Sequence, residues 1–289
     1  MGEFEHLIKQ HPCFGVDAHF KYGRIHLPVS PQCNIQCKFC KRGFNKWEVR
    51  PGVSSLLLKP EDTVAVVEKA LKLCPDIKVV GIAGPGDTLA TDHALQSFEL
   101  IKEEYPQLMN CLSTNGLLLE EKAEQIAAAG VKTVTVTVNS IDPRIQKNIC
   151  SYIVYKGQYI TGEAAAEKLI NAQLKGIKKI TELGVVVKIN TVLIPTVNDR
   201  HIEEVAKATK QAGASILNII PLIPQHEMSH FDVPSCSLLE NCRANAQKHL
   251  EVFRHCKHCR ADACGVPGKG EDLHSQLYSV QPVETFSHG

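Results

Sequence analysis

The chain has 289 residues, in which 32 Lys and Arg stand against 31 Asp and Glu, beside 13 His and 12 Cys. A formal charge of +1 gives no electrostatic case for a nucleic-acid or membrane-surface partner, since both select a basic excess. About 4% cysteine is short of the roughly 8–10% of a disulfide scaffold, whereas 44% hydrophobic residues suffice for a large core.

The first residues carry early acids and no apolar run, so no secretory signal is expected, and His6 spoils the myristoylation pattern that Gly2 would open. No stretch approaches the ~18 apolar residues of a membrane span, and a soluble, cytoplasmic protein is expected. In that reducing compartment the cysteines are core filler or metal ligands.

Between residues 24 and 221, short β-branched runs alternate with segments of helical period, the pattern of repeated βα units around a parallel sheet. Six strands are predicted, over 24–30, 77–83, 108–113, 131–138, 185–192 and 215–221. Several are apolar on both faces and need cover on each side. Amphipathic helices supply it: Val64, Val67 and Leu71 share one stripe, as do Ala166, Ile170, Leu174 and Ile177. Gly130 and Gly184 suit the positions that end such helices. Six units are too few for a closed eight-stranded barrel. They predict an α/β fold, an open, partial (βα)6 TIM-like barrel whose ligand face lies at the C-terminal strand ends. The chain then divides into an N-terminal extension (1–23), a barrel (24–223) and a C-terminal extension (224–289) that is polar and mobile after Cys264.

The first strand leads into Cys33-Asn-Ile-Gln-Cys37-Lys-Phe-Cys40. Three thiolates at this spacing can wrap three corners of a 4Fe-4S cube and leave its fourth iron open. A zinc site or three unrelated core cysteines are the alternatives. With βα units after it, this C-x3-C-x2-C arrangement resembles the radical S-adenosylmethionine (SAM) superfamily. That resemblance implies that the open iron chelates SAM and that an electron from the cluster splits it to release a 5′-deoxyadenosyl radical. Loops at later strand ends would cradle SAM. Gly84 and Gly86 permit close backbone approach beside Asp87, Thr114 and Asn115 follow the third strand, and the amides of Asn139 and Asn190 lie at the ends of the fourth and fifth. Each alone reads equally well as turn chemistry.

Other cysteines stand outside that motif. Cys13 lies in the N-terminal extension, and His26 and Cys111 read as inward positions on neighbouring strands. Together they could hold a second cluster, or be satisfied core residues. Near the C-terminus, His255-Cys256-Lys-His258-Cys259 gives a C-x2-C pair without the second pair of a zinc ribbon, so a zinc ion would need scattered ligands.

The segments HPCF, RIHLPVSPQCNIQCKFC, RPGV, GIAGPGD, CLSTNG, VTVTVN, VLIPTVND and HCKHCRADACG, in this order, resemble the NifB family, the radical SAM proteins of nitrogenase cofactor assembly. The resemblance runs from about Cys13 to Gly265. It implies an enzyme that fuses two 4Fe-4S substrate clusters around a carbide derived from the SAM methyl group, with an added sulfide, into an 8Fe-9S-C cofactor precursor. By position, Cys33, Cys37 and Cys40 would hold the SAM cluster, and Cys13, His26 and Cys111 one substrate cluster. Cys256 and Cys259 would hold the other, with Cys242 as third ligand and Cys264 and Cys236 as rivals. Glu48 would handle protons near the methyl-bearing cluster. The implied partners are SAM, an iron–sulfur cluster donor, a low-potential electron donor, and a cofactor carrier or nitrogenase assembly scaffold. Thr88 stands where the family often has Pro, and Thr196-Val197 where Gly-Ile is usual; neither replaces a ligand. The chain stops soon after CRADACG without the NifX-like domain of longer members, so a stand-alone form is expected. Two other readings stay open: a radical SAM enzyme with permanent auxiliary clusters acting on a peptide or small molecule, and a noncatalytic iron–sulfur scaffold.

Overall fold

The computed structural model describes residues 3–270 and 272–278. All six predicted strands form: β1 (Gly23–His26), β2 (Ile77–Ile82), β3 (Met109–Thr114), β4 (Val131–Thr137), β5 (Val186–Leu193) and β6 (Ile216–Pro221). They lie side by side in chain order and run parallel. Parallel neighbours need crossovers, and helices α1 (Thr63–Leu73), α2 (His93–Glu104), α3 (Leu119–Ala128), α4 (Gly162–Glu182), α5 (Ile202–Gln211) and α6 (Cys236–Gln247) supply the helical layer. Gly130 and Gly184, with φ of +78° and +82°, end α3 and α4 in the left-handed conformation that favours glycine.

Side chains on a strand alternate between faces. One set, including Val80, Ile82, Leu112, Val134, Val136, Val187 and Ile189, meets Val67, Ala70, Ile126, Ile177 and Ile180 of the helices in one buried core. Each fully buried aliphatic side chain there contributes roughly 1.5–3 kcal/mol. The opposite set, which includes His26, Gly81, Cys111, Thr135, Lys188 and Asn218, faces the interior of the half-barrel.

Short strands extend both edges of the sheet. Glu251–Val252 pairs parallel with β6, and Cys264–Gly265 pairs antiparallel with β1. The C-terminal segment therefore returns to the first strand. It stays packed as far as Tyr278, which corrects the expectation of a mobile tail beginning at Cys264. Leu277 and Tyr278 are buried, Lys69 Nζ donates to Leu277 O at 2.7 Å, and the Tyr278 hydroxyl donates to His26 O at 3.2 Å. Leu273, Leu277 and Tyr278 give this stretch an apolar face that its average polarity conceals. Residues 279–289 lie outside the described residues.

A hairpin not predicted from sequence, Cys150–Tyr155 and Gln158–Thr161, pairs with Ile35–Cys37 in a separate three-stranded antiparallel sheet. It backs the cysteine loop after β1. At the other end, Leu7 packs on Val79 and Met109, and Phe14 on Ile216 and Phe253, so the N-terminal segment covers the N-terminal ends of the strands. Among the described residues, no helix is long and apolar enough to cross a membrane.

Candidate active site

The cysteine loop is fastened to the end of β2. Gly86 N–H donates to Ser30 O at 2.8 Å and Asp87 N–H to Gln32 O at 2.7 Å. A Cβ on Gly86 would stand 2.0 Å from Gln32 O, so only glycine allows this approach. Gln36 Nε2 donates to Cys37 O at 2.9 Å and Cys40 O at 3.2 Å, which fixes the turn between those cysteines. Burial pushes the Cys33 thiol up to about 12, with Asp87 adding to the effect, and raises Cys37 well above and Cys40 above the usual thiol value. Such thiols keep their protons until a cation replaces them.

Asp87, Thr114 and Asn115 form one hydrogen-bonded unit beneath that loop. The Asp87 carboxylate accepts from Asn115 N–H at 2.6 Å, from Leu89 N–H at 3.0 Å and from the Thr114 hydroxyl at 3.1 Å. Asn115 Nδ2 donates to Asn34 Oδ1 at 2.7 Å and lies 4.0 Å from Cys33 Sγ. These residues tie the ends of β2 and β3 to the loop. Burial raises the Asp87 carboxyl above its usual range even against these donors.

Asn139 and Asn190 part company. Asn139 Oδ1 accepts from Val192 N–H at 2.9 Å, which ties its side chain to the backbone of β5. Asn190 Oδ1 accepts from Asn218 Nδ2 at 3.0 Å, and this pair faces the barrel interior. Asn218 Oδ1, Ser30 Oγ and Asn34 Nδ2 are buried without partners.

The interior is a cavity of about 330 Å3 bordered by Cys13, His26, Cys40, Cys111, Cys256 and Cys259. His26 and Cys111 are not on neighbouring strands, as the sequence suggested. β2 runs between them, and both residues take Gly81 as register partner. A Cβ at Gly81 would come within 2.9 Å of His26 Cδ2, so the space between the two donors exists because residue 81 has no side chain. His26 Nδ1 bonds to Arg260 O at 3.0 Å; a carbonyl only accepts, so Nδ1 carries the proton and Nε2 keeps its lone pair. Burial, then the Arg24 charge, lowers His26 to about 4. Its half-buried surface borders the cavity. Burial likewise lifts Cys13 to about 12 and raises Cys111.

Arg24, Lys41, Arg50, Lys188 and Lys257 border this cavity, and no carboxylate does among the described residues. Lys188 Nζ donates to Cys13 O at 3.0 Å. Arg24 donates through Nη1 to Gly265 O at 2.8 Å and through Nη2 to Cys259 Sγ at 3.1 Å. An anionic occupant is therefore favoured. Sequence reasoning passed over Arg24, Lys188 and Asn218. The available signal was Lys188, a lone charge inside a strand apolar on both faces.

The C-terminal cysteines are locked to the rim by a buried ion pair. Arg260 and Asp262 are fully buried, with Nε to Oδ1 at 2.8 Å. Arg260 also donates to Glu48 O at 2.6 Å and Asn45 O at 2.7 Å, while Asp262 Oδ2 accepts from Ser55 N–H at 2.6 Å. This clamp carries Arg50, Pro51 and Gly52 to the cavity. The Glu48 side chain is 45% exposed and pairs with Arg50 at 2.5 Å; it does not itself border the cavity, whereas Arg50 does.

Cys242 is corrected as well. It lies on the buried face of α6, 3.5 Å from Asp199 O, in the helix-side core and away from the cavity. Cys264 is equally enclosed in that core, and Cys236 is exposed. Among the described residues, no three His, Cys, Asp or Glu converge on a single-ion site. A four-iron cube is held at its corners and spreads its ligands. Cys40 borders the cavity while Cys33 and Cys37 pack beside Ile35, Cys150 and Ile153; thiols at this spacing, with the unpartnered Ser30 Oγ and Asn34 Nδ2, suit such a cluster carrying a polar chelating ligand.

The family model of the radical SAM superfamily matches residues 27–209. The FeMo cofactor biosynthesis protein NifB of Methanocaldococcus infernus is 48% identical over 268 residues, covering 92% of this chain and 88% of that protein. Its counterpart in Methanocaldococcus jannaschii is 48% identical over 296 residues, covering 100% and 98%. Among solved structures, SuiB of Streptococcus suis superposes with a TM-score of 0.57 at 14% identity over 84% of this chain and 52% of that one, a likeness of fold.

Proposed function

The chain belongs to the radical SAM superfamily and within it to the NifB family, and on that premise we propose that it fuses two 4Fe-4S substrate clusters, with a SAM-derived carbide and an added sulfide, into an 8Fe-9S-C precursor of FeMo cofactor. The observation that carries this reading is a single cationic cavity bordered both by Cys13, His26 and Cys111 and by Cys256 and Cys259. An enzyme that joins two anionic clusters needs both held in one chamber.

In this reading Cys33, Cys37 and Cys40 hold the SAM cluster, and Gly84 and Asn190 face SAM while Gly86, Asp87, Thr114 and Asn115 position the loop. When bound, that cluster supplies the electron that splits SAM. The chain's own work is placement. Gly81 leaves room between His26 and Cys111, Arg24 and Lys188 offset the negative charge of the substrate clusters, and the Arg260–Asp262 clamp keeps the rim closed against water. An iron–sulfur cluster donor, a low-potential reductant and a carrier or assembly scaffold for the product complete the cytoplasmic scheme.

Anaerobic reconstitution tests it. The expected result is about twelve irons per chain from three four-iron units, with 5′-deoxyadenosine released when SAM and dithionite are added. About four irons with deoxyadenosine release would instead describe an enzyme holding the SAM cluster alone.

A further inference from the structure

The reading above leaves the cluster on Cys256 and Cys259 one protein ligand short, because Cys242 and Cys264 are sealed in the helix-side core and Cys236 is exposed. The N-terminal segment offers a replacement. His19 lies on the short helix Val16–Lys21, 2% exposed, and borders the same cavity as the two cysteines. Its Nδ1 lies 2.9 Å from Pro12 O. A carbonyl cannot donate, so the proton sits on Nδ1 and the lone pair on Nε2, and Nε2 is buried without any partner. A backbone carbonyl fixing one ring nitrogen while the other stays free is the usual arrangement of a metal-binding histidine. His26 shows the same pattern through Arg260 O.

The contrast with His11 is informative. His11 Nδ1 accepts from Cys13 N–H at 3.1 Å, so the neutral ring carries its proton on Nε2 and has no lone pair left for iron. His255, directly before Cys256, sets its ring 5.6 Å from that of His19, which brings the C-x2-C segment against the helix. His255 and His258 are half-buried, and among the described residues no hydrogen bond fixes the ring of either as Pro12 O fixes that of His19.

We propose that His19 Nε2 is the third protein ligand of the iron–sulfur cluster held by Cys256 and Cys259. The inference rests on the function proposed above. It makes the two substrate clusters alike, each with two thiolates and one imidazole, and it fastens the N-terminal segment to the C-terminal one through iron.

The test uses the full chain, reconstituted anaerobically and reduced with dithionite, read by iron content and by pulsed electron paramagnetic resonance of histidine nitrogen coupled to the clusters. The His26→Ala protein should retain a histidine nitrogen coupling that the His26→Ala/His19→Ala protein loses. His19→Ala alone should lower iron from about twelve to about eight per chain, and His19→Cys, which restores a ligand, should return it to about twelve without the nitrogen coupling. Persistence of the coupling in the double variant, or its loss when His255→Ala is added to His26→Ala with His19 intact, would overturn the assignment. About twelve irons in wild type with no change in His19→Ala would overturn it while leaving the proposed function standing. About four irons in wild type would remove both.

Discussion

His26 and Cys111 stand level with each other across Gly81, each the register partner of that glycine. The backbone thus sets an imidazole and a thiol two strand spacings apart, about 10 Å between main chains, with nothing but a hydrogen on the strand between them. Gly81→Ala would put a methyl group within 2.9 Å of His26 Cδ2, and the ring, tied to Arg260 O, has little freedom to yield. The variant should lose about four of about twelve irons while the cysteine loop still supports SAM cleavage. An unchanged iron count would show that the gap is not the cluster's seat.

Replacing Cys242 should do the opposite. Its thiol is buried against the turn at Asp199, so Cys242→Ala is expected to cost roughly 1 kcal/mol in urea unfolding and to leave the iron count alone. Cys256→Ala should lower iron with little effect on the cluster-free fold. Iron loss in Cys242→Ala would restore it as a ligand.

The Arg260–Asp262 pair is fully buried, and the cost of breaking it is correspondingly large. Asp262→Ala leaves an unpaired guanidinium in the core and is expected to destabilise the protein by about 3–5 kcal/mol. It should also release the loop from Asn45 to Ser55, read as faster proteolysis there. A stability loss within about 0.5 kcal/mol, the range of ordinary surface changes, would show the clamp to be incidental.

His26 also predicts a pH dependence of the cluster-free protein. Its ordinary value is 6.5 and its folded value about 4. Between these, the unfolded chain binds a proton that the folded chain does not, so stability falls as pH drops through this window and is fully present above it. The loss by about pH 4 is of order 3 kcal/mol. His26→Gln should flatten that part of the urea-unfolding profile; an identical profile would contradict the buried neutral imidazole.

Much of the barrel was legible because strands such as Ile77–Ile82, Val131–Thr137 and Val186–Leu193 are runs of Val, Ile and Thr between segments of helical period. The hairpin Cys150–Thr161 was not. Tyr152, Tyr155, Gln158 and Tyr159 alternate weakly and half face outward, so their period is faint. The cysteine loop was legible from spacing alone. Cys242 was misread because a cysteine on an amphipathic helix looks the same whether it faces a core or a cavity, and only packing decides. His19 was invisible for the converse reason: a single residue acquires meaning from what the fold sets opposite it.

The central claim is that this cavity joins two clusters around a carbon taken from SAM. The direct measurement is to supply the anaerobically reconstituted protein with SAM carrying a labelled methyl carbon, denature it, and follow the label. The account predicts label retained in an extractable iron–sulfur cluster and lost when Cys111 is replaced by Ala. Deoxyadenosine formed at full rate, with no label in any cluster, would contradict it.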